Sequence, residues 1–195
     1  FTFEASGTGD LGMLLVQQSA PVNTPDGTEG GNTVNFSSIG NGGNSQVFND
    51  TLRVPSLSTI NGSLTIDETA GGASRETFVS APVLAEVTSD LRVENGASAI
   101  VGTTGGDATD LLIGDETRVI NGSRLEFVAP VEVAGATDVD GGGLGNSILF
   151  LNDSGTFSDD FSIAASSIAT FEFVTTFDGD VTVTGNGTTM TFAAP

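Results

Sequence analysis

The sequence predicts an all-β chain, with a parallel β-helix (a β-solenoid) favoured over an antiparallel β-sandwich. Two ungapped stretches, "RVENGASAIV" (Arg92 to Val101) and "RVINGSRLEF" (Arg118 to Phe127), align 26 residues apart. "NGSRLEFVAP" (Asn121 to Pro130) returns 65 residues later as "NGTTMTFAAP" (Asn186 to Pro195). Short apolar or alternating runs recur along the whole chain, separated by glycine-rich turn clusters. Many short strands at regular spacing point to a sandwich, barrel or solenoid. Self-similarity at a period of 20–50 residues favours a stacked repeat.

Taken in order, the strand candidates are "FTFEA" at Phe1, "TVNF" at Thr33, "SLTI" at Ser63, "DLLI" at Asp110 and "SILFL" at Ser147. "SIATFEFV" at Ser167 and "DVTVT" at Asp180 follow. The best helix candidate is "VLAEVTSDL" (Val83 to Leu91), whose Val and Thr content reads equally well as strand. The chain is read as one β-rich domain, 1–195, with 1–50 a capping or irregular N-terminal segment and 51–195 repeat-like rungs. A third copy of the repeated element, "RVPSLSTINGSLTI" from Arg53, carries a five-residue insertion before Asn61-Gly62.

A coil of three short strands and their turns takes roughly 20–25 residues. A spacing of 26 is slightly long for one coil, and 65 is close to three. Asn-Gly is a strong hairpin signal because both residues tolerate positive φ. The same pair also serves a sharp corner between solenoid strands. If the corner reverses the chain the fold is a sandwich; if it only bends the chain the fold is a solenoid, which is favoured here. In either case Phe127 and Phe192 face the core.

Composition excludes several function classes. The 195 residues carry 25 acidic and five basic side chains, all five of them Arg, for a net charge of −20. Such a chain repels nucleic acid and anionic lipid, whose phosphates need clustered Lys and Arg, and it attracts cations. There is no Cys and no His, so disulfides, thiolate or imidazole metal sites and His-based catalysis are excluded. Lys and Tyr are absent as well, leaving only carboxylate chemistry. Sugar hydrolysis by paired acids is weakened by the lack of Trp and Tyr platforms. The chain is therefore read as non-enzymatic. No run approaches the roughly 18 apolar residues of a membrane span. The initial Phe1 suggests a processed or trimmed product.

Calcium is the better use for the acids, because it takes six to eight oxygen ligands. "GGDATDLLI" (Gly105 to Ile113) resembles the calcium-binding nonapeptide of RTX proteins except for Ala108 at a glycine position. The resemblance makes Asp110 the carboxylate ligand and Leu112 the inward residue. "GGLGNSILF" (Gly142 to Phe150) keeps the glycines but has Ser147 where the aspartate belongs. "DVDGGG" (Asp138 to Gly143) holds part of an EF-hand loop. The candidate calcium ligands are Asp107, Asp110, Asp138 and Asp140.

Asn35, Asn49, Asn61, Asn121, Asn152 and Asn186 each open an Asn-x-Ser/Thr sequon and are candidate glycosylation sites. Arg53, Arg92 and Arg118 each precede Val in the repeated element. Stacked coils place them in a ladder, which needs interleaved carboxylates to avoid repelling itself.

The rung-like elements, paired glycines and Cys-free acidic composition resemble bacterial surface β-solenoids, with "GDVTVTGNGTTMTF" (Gly179 to Phe192) closest in style. These are autotransporter passengers, filamentous-haemagglutinin-like adhesins, and S-layer or RTX proteins. The resemblance implies a secreted or cell-surface structural or adhesive protein, often calcium-dependent and often polymeric. The expectation is a subunit that self-associates into a filament, layer or adhesin stalk stabilised by cations, with carbohydrate a candidate partner. Two alternatives stand beside it. One is a β-sandwich pilin that donates "FTFEA" to a neighbour. The other is a calcium-dependent polysaccharide lyase or hydrolase.

Overall fold

The computed structural model describes residues 2–4, 15–17, 32–35, 38–39, 45–48, 51–53, 59–60, 63–67, 78–81, 84–102, 110–143 and 145–193, with side chains for 63–66, 84–102, 110–143 and 145–193. The described residues contain strands and no helix. In chain order the first strands are β1 (Thr2–Glu4), β2 (Leu15–Gln17), β3 (Asn32–Asn35), β4 (Ser38–Ile39), β5 (Ser45–Phe48), β6 (Thr51–Arg53), β7 (Thr59–Ile60) and β8 (Leu64–Asp67). Then come β9 (Phe78–Ala81), β10 (Glu86–Val87), β11 (Leu91–Glu94), β12 (Ser98–Val101), β13 (Leu111–Ile113), β14 (Thr117–Ile120), β15 (Arg124–Phe127) and β16 (Val131–Val133). The last are β17 (Thr137–Asp140), β18 (Ile148–Leu151), β19 (Gly155–Phe157), β20 (Phe161–Ala164), β21 (Ile168–Phe171), β22 (Thr175–Phe177), β23 (Val181–Val183) and β24 (Thr189–Phe192).

Three sheets arise because, β1 with β3 apart, each strand pairs with the one three along. Sheet I runs β1-β3-β6-β9-β12-β15-β18-β21-β24, sheet II runs β4-β7-β10-β13-β16-β19-β22, and sheet III runs β2-β5-β8-β11-β14-β17-β20-β23. From β3 onward the chain visits I, II and III in turn, and every recorded pairing, such as Arg92 with Arg118 and Phe127 with Leu151, is parallel. This is a β-solenoid. The antiparallel sandwich, and with it the sandwich pilin, is ruled out by that parallel pairing. The Asn-Gly corner bends the chain from sheet III into sheet I and does not fold it back. "VLAEVTSDL" is not a helix: it contributes β10 and the start of β11, with Leu84, Val87 and Leu91 all buried.

The repeat lengths follow from the register. The outward column Arg92–Arg118–Asp138–Ser162–Thr182 advances by 26, 20, 24 and 20 residues. The 24-residue step contains the glycine-rich segment between β17 and β18. The 65-residue echo spans three rungs. Phe127 pairs with Leu151, Leu151 with Phe171, and Phe171 with Phe192, so Phe127 and Phe192 occupy one column.

Alternation puts every second residue of each strand inside. Val93, Val119, Val139 and Ile163 stack in sheet III; Leu125, Leu149 and Ala169 stack in sheet I; all are buried. Interior volume is conserved between rungs rather than residue by residue. The rung from β19 to β21 brings in three buried phenyl rings, Phe157, Phe161 and Phe171, with centroids 5.1–6.1 Å apart. Small residues in the same rung make room for them. Ala169 stands beneath Leu149 in its column, and a Cβ on Gly155 would come within 2.7 Å of the Leu151 side chain. Burying each ring stabilises the fold by roughly 1.5–3 kcal/mol.

Candidate functional site

The corner between sheets III and I carries a polar pattern that recurs from rung to rung. Asn95 and Gly96 have φ of 57° and 91°; Asn121 and Gly122 have 55° and 78°. Both residues of each pair are left-handed, a conformation that Asn and Gly adopt with the least steric cost. The corners are stacked, and Asn121 Nδ2 donates to Asn95 Oδ1 at 2.9 Å. The next residue supplies a hydroxyl that works in two directions. Ser123 Oγ donates to Ile120 O at 2.7 Å and accepts from Gly96 N at 3.1 Å. Ser147 Oγ donates to Asp140 O at 2.6 Å and accepts from Gly122 N at 3.1 Å. Thr188 Oγ1 repeats the pattern, donating to Thr184 O and accepting from Ser166 N. Each hydroxyl closes its own corner and ties it to the preceding rung. The backbone N–H groups that a sharp bend leaves without a ladder partner are thereby satisfied.

These corners account for part of the sequon pattern. In Asn121-Gly122-Ser123 the three residues are the ladder amide, the left-handed glycine and the bridging hydroxyl. Asn121 Nδ2, the atom that would carry a glycan, is already donated to Asn95, and Asn152 Nδ2 is donated to Glu126 Oε1 at 2.7 Å. Asn186 is exposed at its corner. Asn35, Asn49 and Asn61 lie outside the residues with described side chains. The Ser and Thr roles at 123, 147 and 188 were missed from the sequence, although their place two residues after the corner Asn, or just before the strand, was a usable signal.

On the outer face of sheet III the arginines and acids interleave. Arg92 lies 2.9 Å from Asp90 and 3.4 Å from Glu116; Arg118 lies 3.6 Å from Glu116 and 3.7 Å from Asp138. Glu116 thus separates the two stacked guanidinium groups. All are partly solvated, so each pair contributes about 0–1 kcal/mol, and their role is to permit stacking of like charges. Arg53 does not join this ladder. It closes β6 in sheet I, paired with Thr33 and Ser80. Asn61-Gly62 lies outside the described residues, whereas Asn95-Gly96 and Asn121-Gly122 lie between sheets III and I.

No group of three or more acidic side chains that could hold a metal ion occurs among the described residues. Asp138 accepts from Ser162 Oγ at 2.7 Å as well as facing Arg118, and Asp140 Oδ1 accepts from Gly142 N at 2.9 Å. Asp110 is exposed just before β13, and Asp107 lies outside the described residues. Leu112 is not inward: it is 41% exposed, while Leu111 and Ile113 are buried. A shift of one residue exchanges the two faces of a strand. Leu112 instead lines a shallow groove of about 230 Å³ on the outside of sheet II, together with Glu86 and Glu132.

Among the described residues, most exposed large apolar side chains lie at the last rung. β22, β23 and β24 are edge strands of sheets II, III and I. Their inward positions continue the core columns: Val183 follows Ile163, and Phe192 follows Phe171. Yet Val181, Val183 and Phe192 are 44%, 47% and 57% exposed, whereas Phe161, Ile163 and Phe171 are fully buried. Phe192 stacks on Phe171 at 5.2 Å and Phe177 on Phe157 at 5.3 Å, so one face of each terminal ring is covered. Phe173 and Val174 add exposed apolar surface at the adjoining turn. No helix of the described residues is long and apolar enough to cross a membrane. Comparison of the chain with protein-family models, with curated proteins and with solved structures returns no match.

Proposed function

We propose that this chain is a structural module of a secreted or cell-surface assembly that stacks end to end through its exposed terminal rung. The observation that carries this reading is the end formed by β22, β23 and β24. Three unpaired parallel edges there surround a set of core-type side chains that includes Val181, Val183 and Phe192. A free edge is a template for another strand. The opposite edges of the same sheets belong to β1, β2 and β4. A second copy docked in line on this rung makes a head-to-tail contact, which generates an open rod when it does not close into a ring.

The net charge of −20 opposes association at low salt. Cations then act as screening or bridging agents rather than as occupants of a preformed site, and the module works by rigid stacking rather than by turnover. Negative-stain microscopy of the chain in moderate salt, with and without a chelator, tests the reading. Rods one solenoid wide are expected, and the Val183→Asp variant returns single particles. Single particles under all conditions contradict stacking. Rods that persist in chelator remove the divalent cation from the account and leave the stacking in place.

A further inference from the structure

We propose that Asn186 is the site of spontaneous succinimide formation in this chain, a modification from which the corner geometry protects Asn95 and Asn121. In this reaction the backbone nitrogen of Gly187 attacks Cγ of Asn186. The N–Cγ bond forms, the Cγ–Nδ2 bond breaks, and Nδ2 leaves as ammonia with the proton from the Gly187 N–H. Water then opens the ring at either carbonyl to give aspartate or isoaspartate. No oxidant or other co-reactant is needed.

Three Asn-Gly pairs lie within the described residues, and two are held at both reacting groups. Asn121 Nδ2 is donated to Asn95 Oδ1 at 2.9 Å, which fixes the two carboxamides against each other. The attacking nitrogens are also occupied: Gly96 N donates to Ser123 Oγ and Gly122 N to Ser147 Oγ, each at 3.1 Å. Each of those hydroxyls comes from the following rung. Ring closure at either site must break these bonds and rotate a left-handed asparagine, at φ 57° or 55°.

Asn186-Gly187 differs in each respect. Its corner joins β23 to β24, the last described strands of sheets III and I. Gly96 N and Gly122 N donate to the hydroxyls of Ser123 and Ser147, whereas Gly187 N donates to no hydroxyl of a described residue. Asn186 is exposed and is not among the residues with positive φ. In addition, Ser166 Oγ donates to Asn186 O at 2.8 Å. The negative charge that develops as Gly187 N loses its proton is shared with that oxygen, so the serine hydroxyl favours the nucleophilic form.

Incubating the whole chain in mildly alkaline buffer, followed by peptide mapping with isoaspartate detection, tests the assignment. The peptide containing Asn186 is expected to convert at least about tenfold faster than those containing Asn95 and Asn121, a difference of about 1.4 kcal/mol in barrier. In denaturant the three rates should converge, because each asparagine is followed by glycine, the residue whose nitrogen attacks. Comparable rates in the folded chain overturn the proposal. An order that persists unchanged in denaturant overturns it too, since sequence and not the corner would then set the rate.

Discussion

Asn121 Nδ2 donates to Asn95 Oδ1 at 2.9 Å, joining two corners that are 26 residues apart in sequence and one rung apart in space. Both asparagines are left-handed, so each is suited to its place by backbone as well as by side chain. Replacing Asn121 with Ala removes the bond and puts a Cβ-bearing residue without a local amide into the left-handed region. The expected cost is about 2 kcal/mol. Asn186→Ala, at an exposed corner, should stay within about 0.5 kcal/mol. Urea unfolding of the two variants checks the difference.

Two buried serines one rung apart should respond in opposite ways. Ser147 Oγ makes two hydrogen bonds, and its loss leaves Gly122 N without its partner and Asp140 O with Asn121 N alone. Ser147→Ala should destabilise by about 1–3 kcal/mol. Ser167 Oγ is buried without a partner among the described residues, because the glycine-rich connection after β17 replaces the corner that would otherwise donate to it. Ser167→Ala should be neutral or mildly stabilising. Thermal melts of both variants provide the comparison.

The hydroxyls of Thr117 and Thr137 are likewise buried and unpartnered among the described residues. They pair in register within sheet III, in a column that otherwise holds Leu91 and Phe161. Valine has nearly the same shape and no hydroxyl to desolvate. Thr137→Val is therefore expected to stabilise by about 1 kcal/mol, seen as a higher denaturation midpoint with unchanged denaturant slope.

Ala165 and Ser166, at φ 50° and 65°, occupy the corner position that Asn and Gly fill in two earlier rungs. Alanine has no side-chain amide to offset the left-handed backbone. Ala165→Asn should relieve about 1 kcal/mol, and a shift in thermal midpoint reports it.

Most of the architecture was legible because its marks are periodic. Phe127 and Phe192 carry the same pattern around Asn-Gly, and they share one column three rungs apart. Arg92 and Arg118 align without a gap and are paired in register. The misreadings came where periodicity broke. Arg53 has the right neighbours but sits in another sheet, because local similarity does not report which of three strands it marks. Leu112 was placed inside by a motif match, whereas the alternation of Leu111 and Ile113 decides its face. The bridging hydroxyls of Ser123 and Ser147 act across rungs, and a single sequence shows such contacts only after the rungs are aligned. The apolar end formed by Val181, Val183 and Phe192 reads in sequence like any other rung. Its exposure comes from its position at the edge of the stack.

Sedimentation of the chain over a range of salt concentrations, beside the Val183→Asp variant, tests end-to-end stacking most directly. Raising the salt shortens the reach of the repulsion from about 30 Å at 0.01 M to about 10 Å at 0.1 M. The wild-type chain is expected to shift from monomer to larger species as salt and protein concentration rise, while Val183→Asp stays monomeric with an unchanged β-sheet spectrum. A wild-type chain that remains monomeric at every salt concentration, or a variant that assembles equally well, contradicts the account.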